Sequence, residues 1–377
     1  MGTNFISSSR LPEFGLWEEI VDKRIPLDFE LELTARCNNN CRHCYINLPA
    51  GDPKALREEL SLAEISDIAD QAVELGSLWC LITGGEPLLR KDFFDIYLTL
   101  KKKGLLLSLF TNACLITEDH IQFLKKYPPR DIEVSVYGAT KETYEKVTRK
   151  PGSFAAFRRG LGLLVDSGIE INLKAMVLRS NVHELPEIAS FCRKHSQKAF
   201  RFDPMLHLRY DEDPIRNREI LTERLTPEEI VAIEQADEIR LNALVANCDH
   251  FIFPGTLRET NDKIIRCAAG KKSFTVSYDG TFRLCADLWH PDTIYDLRKG
   301  TLAEAWNQLV PKVRDLRSNN PEYLQRCRNC QITNLCFWCP AHAYLDCGEL
   351  DCMVDYYCEV AHARAAALES AMKEEKN

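Results

Sequence analysis

Residues 29–45 read Phe29-Glu30-Leu31-Glu32-Leu33-Thr34-Ala35-Arg36-Cys37-Asn38-Asn39-Asn40-Cys41-Arg42-His43-Cys44-Tyr45. The first six form a β-rich run. Three cysteines follow in Cys-x3-Cys-x2-Cys spacing. Further β-rich runs lie at Leu78–Thr83, Leu105–Thr111, Ile132–Tyr137, Ile169–Val177 and Ala199–Pro204. Amphipathic helical patterns separate them at Leu62–Leu75, Phe93–Lys103, Glu118–Tyr127, Phe154–Asp166 and Leu185–His195, and another follows at Pro227–Leu241. Strands alternating with helices predict βαβ units and a parallel sheet. Six units exceed a small flavodoxin-like sheet and suit a partial or full barrel. The cysteine loop leaves the carboxyl end of the first strand, where barrel enzymes place their chemistry.

Thiolate sites are normally closed by a fourth protein ligand. Three cysteines on one loop therefore suit a [4Fe–4S] cube with one iron open to an outside ligand. By spacing alone they equally suit a zinc site that borrows a distant His or Cys. The second strand run ends in Thr83-Gly84-Gly85-Glu86-Pro87. Paired glycines admit a ligand close to the backbone, and a carboxylate there suits an ammonium group. Alone, the same residues make a tight strand-to-helix turn.

The chain has 377 residues, 45% hydrophobic and 28% charged, enough for two or three domains. No apolar run approaches the ~20 residues of a membrane helix, and Met1–Arg10 lacks the order of a signal peptide. A formal charge of -8 excludes an electrostatic nucleic-acid binder. The outlier is 16 cysteines. Without an export signal they point to a reducing cytoplasm, free thiols and metal rather than disulfides. Cys80, Cys114 and Cys192 lie inside apolar patterns and read as core thiols.

The pattern changes near residue 245. Ser273–Ser277 and Thr281–Cys285 flank Asp279-Gly280, a hairpin signature. A helix pattern spans Leu302–Leu316 and another Glu359–Lys373. Between them runs Cys327-x2-Cys330-x5-Cys336-x2-Cys339, with Cys358 beyond it and Cys347 and Cys352 inside the gap. By itself this reads as one or two zinc knots. So short a stretch has little room for its own apolar core, and metal–thiolate bonds are the expected source of its order.

The Cys37–Cys44 loop followed by Gly84-Gly85-Glu86 at the next strand end resembles the radical S-adenosylmethionine superfamily. The resemblance implies that Cys37, Cys41 and Cys44 hold a [4Fe–4S] cluster. Its open iron would chelate the amino and carboxylate groups of S-adenosylmethionine, with Gly84, Gly85 and Glu86 at the amino group. It also places His43 and Tyr45 near the adenine, Ser135 near the ribose and Asn112 at the pocket. The C-terminal cysteine order, with Cys267 and Gly280-x4-Cys285 upstream, resembles the SPASM extension of peptide-modifying members. That implies two auxiliary iron–sulfur clusters. Cys267, Cys285 and Cys339 would serve the first, with Cys248 or an open site as fourth ligand. Cys327, Cys330, Cys336 and Cys358 would serve the second. The interval before Cys339 is two residues where the extension has three.

The expected architecture is thus α/β. A lead segment (1–28) precedes a partial (β/α)6 TIM-like barrel (29–245), and a small cysteine-rich α+β iron–sulfur domain (246–377) follows. The implied activity is reductive cleavage of S-adenosylmethionine to a 5′-deoxyadenosyl radical that takes a substrate hydrogen. The implied substrate is a ribosomally made precursor peptide receiving a thioether, carbon–carbon or ether crosslink. A flavodoxin- or ferredoxin-type protein is the expected reductant. Some 28 residues before the first strand are too few for a winged-helix leader-binding domain, so either a separate leader-recognition protein or direct binding by the barrel is expected. Tetrapyrrole side-chain chemistry and sulfatase-type maturation share this outline. Sulfatase-maturing relatives carry a catalytic aspartate directly after the cysteine matching Cys285. Here Ala286 intervenes before Asp287, and no catalytic acid or base is assigned. A non-catalytic iron–sulfur or zinc protein is the rival from another class, and it would not need Gly84-Gly85-Glu86.

Overall fold

The computed structural model describes residues 19–20, 22–196, 200–246 and 262–375. Six parallel strands run in chain order: β1 (Asp28–Glu32), β2 (Trp79–Thr83), β3 (Leu106–Thr111), β4 (Asp131–Ser135), β5 (Ile171–Met176) and β6 (Arg201–Asp203). Helices α1 (Leu62–Glu74), α2 (Phe93–Lys102), α3 (Glu118–Lys126), α4 (Lys141–Thr148), α5 (Ser153–Ser167) and α6 (Leu185–His195) cover the outer face. Each β1 residue that faces them is apolar: Phe29 and Leu31 are buried among Ile65 and Ile68 of α1. The alternate residues Asp28, Glu30 and Glu32 face the concave side, because successive strand side chains point to opposite faces. α1 starts at Ser61, whose hydroxyl and the Glu64 carboxylate close a reciprocal capping box.

The expected hairpin forms and joins the barrel sheet. β7 (Ser273–Val276) pairs parallel with β1, then antiparallel with β8 (Thr281–Arg283), which pairs with β9 (Tyr295–Asp296). The nine-stranded sheet is ordered β9-β8-β7-β1-β2-β3-β4-β5-β6 and does not close. Barrel and cysteine-rich region, expected to part near residue 245, therefore share one sheet and one continuous core. Phe29 stacks on Phe274 at 5.3 Å.

Several local expectations need correction. The Pro227–Leu241 pattern is two helices, α7 (Pro227–Ala236) and α8 (Glu238–Ala246). Asp237 breaks it, because its carboxylate accepts from Arg240 N–H and pairs with Arg193. The Leu302–Leu316 helix carries a π-turn at Ala305–Leu309. α4 was not foreseen. Cys347 and Cys352, to which the resemblance assigns no role, bring their sulfurs together.

α9 (Pro340–Cys347) and α10 (Asp355–Glu375) return the chain to the barrel. Arg224 pairs with Asp346 at 3.0 Å, and Arg364 with Glu234 of α7 at 2.8 Å. Among the described residues no helix is long and apolar enough to cross a membrane.

Candidate functional site

The Cys37–Cys44 loop sits on buried charge. Arg36 donates through Nε and Nη2 to Glu59, at 2.6 and 3.0 Å, and Thr34 Oγ1 donates to the same carboxylate at 2.5 Å. Two arginines from beyond β6 hold the loop's far side. Arg209 Nη1 donates to the Cys44 carbonyl at 3.1 Å, and Arg216 Nη2 to the Cys41 carbonyl at 2.9 Å. Cys37 and Cys41 are buried and Cys44 half-buried. Burial first, then the neighbouring thiols, raises the Cys41 pKa well above its ordinary value. A bound cation inverts that balance by stabilising thiolates. The donor set fits a cluster in a second way: Asn39 N–H reaches Cys37 Sγ at 3.4 Å and Asn112 Nδ2 reaches it at 3.6 Å. Cys114 is a buried core thiol as expected, yet it also lies beside this loop, accepting from Asn39 Nδ2 at 3.8 Å.

The Gly84-Gly85-Glu86 turn lies directly against the loop backbone. Gly85 N–H donates to the Thr34 carbonyl at 2.6 Å and Glu86 N–H to the Arg36 carbonyl at 2.9 Å. Gly84 has φ +132°, and a Cβ there would stand 2.3 Å from the Thr34 carbonyl oxygen. A Cβ on Gly85 would meet Arg36 O at 2.3 Å. The glycines are therefore required for close approach of two strand ends. The Glu86 carboxylate is fully buried and accepts from Leu88 N–H, Thr111 Oγ1 and Asn112 N–H at 3.2, 2.8 and 2.8 Å. Burial pushes its pKa up to about 7 against those three donors. Its side chain thus ties β2 to the end of β3, and Asn112 carries the connection on to Cys37.

The remaining expected contacts cluster around the loop. The His43 ring lies 5.2 Å from Tyr137, and its Nδ1 is buried without a protein partner. Burial lowers its pKa to about 4, so the ring is neutral. An unpartnered ring nitrogen beside the cysteine loop fits the edge of an adenine, which offers both an amino donor and ring-nitrogen acceptors. Tyr45 is nearby and its phenol is kept protonated by burial. Ser135 ends β4 on the concave face, alongside Tyr137.

That concave face is strongly polar. Arg283 of β8 is fully buried between Glu32, at 2.5 Å, and the Trp289 ring, 3.6 Å away. Lys174 pairs with Glu133 at 2.8 Å and lies 3.4 Å over the Phe110 ring. Burial lowers the Lys174 pKa while Glu133 opposes the shift. Arg283, Lys174, Tyr137, Arg209 and Arg216 were not anticipated. Alternation of Glu30, Glu32, Glu133 and Lys174 with apolar strand residues was the available signal for a polar interior.

In the C-terminal region a cavity of about 530 Å³ is lined by Cys267, Cys327, Cys330, Cys336, Cys339 and Cys358. Cys285 has Cys339 and Cys267 among its electrostatic neighbours, and Cys327 has Cys336, Cys358 and Cys330. Burial is the main cause that raises both thiols. Six thiols around one cavity are a donor set suited to iron–sulfur ligation. Cys248 lies outside the described residues.

Comparison with known proteins identifies two domains. The radical SAM superfamily model matches residues 31–192, and that of the SPASM iron–sulfur cluster-binding domain matches residues 267–331. An AdoMet-dependent heme synthase of Nitratidesulfovibrio vulgaris is 29% identical over 43% of this chain and 44% of its own length. The subtilosin biosynthesis protein AlbA of Bacillus subtilis is 28% identical over 70% of this chain and 55% of its own. The chain thus spans about half the length of these two curated relatives. The crystal structure of Streptococcus suis SuiB bound to S-adenosylmethionine superposes with a TM-score of 0.65 at 14% identity, covering 95% of this chain and 83% of SuiB. Residues 31–192 thus belong to the radical S-adenosylmethionine superfamily, and residues 267–331 to the SPASM iron–sulfur cluster-binding domain.

Proposed function

We propose that this enzyme modifies a ribosomally made precursor peptide, installing a crosslink after hydrogen abstraction. The cluster and S-adenosylmethionine, when bound, supply a 5′-deoxyadenosyl radical. Cys37, Cys41 and Cys44 would hold the cluster, and Gly84, Gly85, His43 and Asn112 would frame the adjoining pocket. The observation that carries the peptide reading is the concave side of the sheet, which among the described residues stays open between β6 and β9 and holds ion pairs, Arg283–Glu32 and Lys174–Glu133, rather than apolar side chains. Paired charges of both signs match the mixed polar groups of a peptide chain, whereas a coproporphyrin brings carboxylates alone. AlbA, the PqqA peptide cyclase of Gluconobacter oxydans and the mycofactocin maturase MftC of Mycolicibacterium smegmatis carry peptide-maturing names.

Tetrapyrrole side-chain chemistry is the second reading. It is favoured by an AdoMet-dependent heme synthase of Methanosarcina barkeri, aligned over 84% of this chain and 92% of its own at 25% identity. The test pairs two substrates under reducing, oxygen-free conditions. Small cysteine-containing peptides encoded beside the gene should lose hydrogen by mass spectrometry. Iron-coproporphyrin III should be returned unchanged. Its conversion to protohaem, with every peptide untouched, would overturn the peptide reading in favour of the second.

A further inference from the structure

We propose that His207, Asp287 and His342 form a site for one divalent first-row transition-metal ion, with ligands of its own beside the cysteine sites it adjoins. The three come from different elements. His207 lies beyond the carboxyl end of β6, Asp287 beyond β8, and His342 in the first turn of α9. Their ligand atoms all lie within 4.8 Å of one another.

The hydrogen bonding prepares them for an ion. His342 Nδ1 lies 3.2 Å from the Phe337 carbonyl. A carbonyl only accepts, so Nδ1 carries the proton and Nε2 is the nitrogen turned to Asp287, where a metal ion or a second proton can sit. Metal-binding histidines are oriented in this way by a backbone carbonyl. Nε2 is buried without a hydrogen-bond partner, and so is His207 Nδ1. Asp287 Oδ2 stands 3.7 Å from His342 Nε2, too far for a hydrogen bond. That spacing is close to the edge of a tetrahedron with ligand bonds of about 2.1 Å, roughly 3.4 Å. The two imidazoles lie 3.8 Å apart, tilted by 32°. Two unpartnered ring nitrogens and a carboxylate within 4.8 Å of one another are a cost without a cation and a donor set with one.

The competing arrangement is an imidazolium–carboxylate pair between His342 and Asp287. It leaves His207 Nδ1 unpartnered and its ring against a cation. An ion shared by all three accounts for both orphaned nitrogens. Two imidazoles and one carboxylate select a borderline divalent ion, whereas the cysteines select iron–sulfur chemistry. Three protein ligands also leave a position for water or a substrate oxygen. With Cys285 and Cys339 flanking Asp287 and His342 in sequence, that position would lie between the first auxiliary site and the end of the barrel.

The test uses the anaerobically reconstituted holoenzyme with its iron–sulfur sites filled. One equivalent of Zn²⁺ is added, the protein is desalted, and zinc and iron are counted by mass spectrometry. Zinc K-edge absorption then reports the ligands. The expected result is one zinc per chain with only nitrogen and oxygen neighbours at about 2.0–2.1 Å. In His207→Ala and Asp287→Asn the zinc dissociation constant should rise at least about tenfold, with iron content unchanged. Should Asp287→Asn lose iron, His207→Ala decides, since His207 adjoins no cysteine in sequence. Absence of zinc after desalting, sulfur in its first shell, or wild-type affinity in His207→Ala would each overturn the proposal.

Discussion

Glu86 was legible in the sequence as a residue at the right strand end, but its hydrogen bonding was not. Its partners, Thr111 and Asn112, are 25 and 26 residues away, and only the parallel pairing of β2 with β3 brings them close. Glu86→Ala would leave two N–H groups and a hydroxyl without their acceptor. Each costs about 1–3 kcal/mol when buried. Denaturant unfolding should show that loss, together with weaker retention of the first cluster. A variant as stable as wild type would reduce Glu86 to a spectator. Asn112→Leu tests a different link, since it deletes the Nδ2–H bond to Cys37 Sγ. Hydrogen bonds to cluster sulfurs help set the potential. The first cluster should become harder to reduce in an EPR-monitored redox titration, and an unchanged potential would exclude the contact.

Glu30 gives a pH signature. Burial, then the Glu32 and Asp287 charges, raises its pKa from 4.5 to about 7. A carboxyl raised on folding favours the native state in its neutral form. Its contribution is therefore full below about pH 4.5 and is lost as pH rises through 7. Between pH 6 and pH 8 the native state should lose ~1 kcal/mol from this group. In Glu30→Gln that share of the slope should vanish, as measured by denaturant unfolding at the two pH values.

At the level of elements, the six strands and the helices other than α4 were readable because periodicity and turn residues agree along most of residues 29–195. Core-facing Ile65, Ile68, Ala69 and Ala72 of α1 follow helical spacing. The split between α7 and α8 was not readable from that periodicity, because Asp237 stops the first helix while its side chain caps the second. The glycine turn after β2 makes a sharper prediction. A methyl on Gly85 would collide with two backbone carbonyls, Arg36 O at 2.3 Å and Ala35 O at 2.6 Å. Backbone cannot yield as a side chain can, so Gly85→Ala should cost at least 1–3 kcal/mol, roughly the usual range for overpacking. Iron in the first site should fall while iron in the C-terminal sites is retained. Equal retention at both would contradict the close approach.

Across the whole molecule, the cysteine pattern announced a metal-rich C-terminal region but not its union with the barrel. β7 reads as half of a hairpin; nothing local says that its other edge pairs with β1, some 240 residues earlier. The concave charges were hidden for the same reason, since Glu32 and Arg283 meet only after that pairing. A chain ending at residue 261 would expose the β1 edge and uncover Phe29 where Phe274 stacks. It should therefore fail to fold as an isolated barrel, seen as aggregation or loss of cooperative unfolding. A soluble, cooperatively unfolding fragment would show that the two regions are independent.

The central claim is that Cys37, Cys41 and Cys44 support radical cleavage of S-adenosylmethionine. The direct measurement is 5′-deoxyadenosine, quantified by mass spectrometry after anaerobic iron–sulfur reconstitution and addition of dithionite and S-adenosylmethionine. The wild type should form it, and Cys37→Ala, Cys41→Ala and Cys44→Ala should not, each losing ~4 iron atoms per chain. No 5′-deoxyadenosine from fully loaded wild type, or undiminished formation in any of the three variants, would contradict the account.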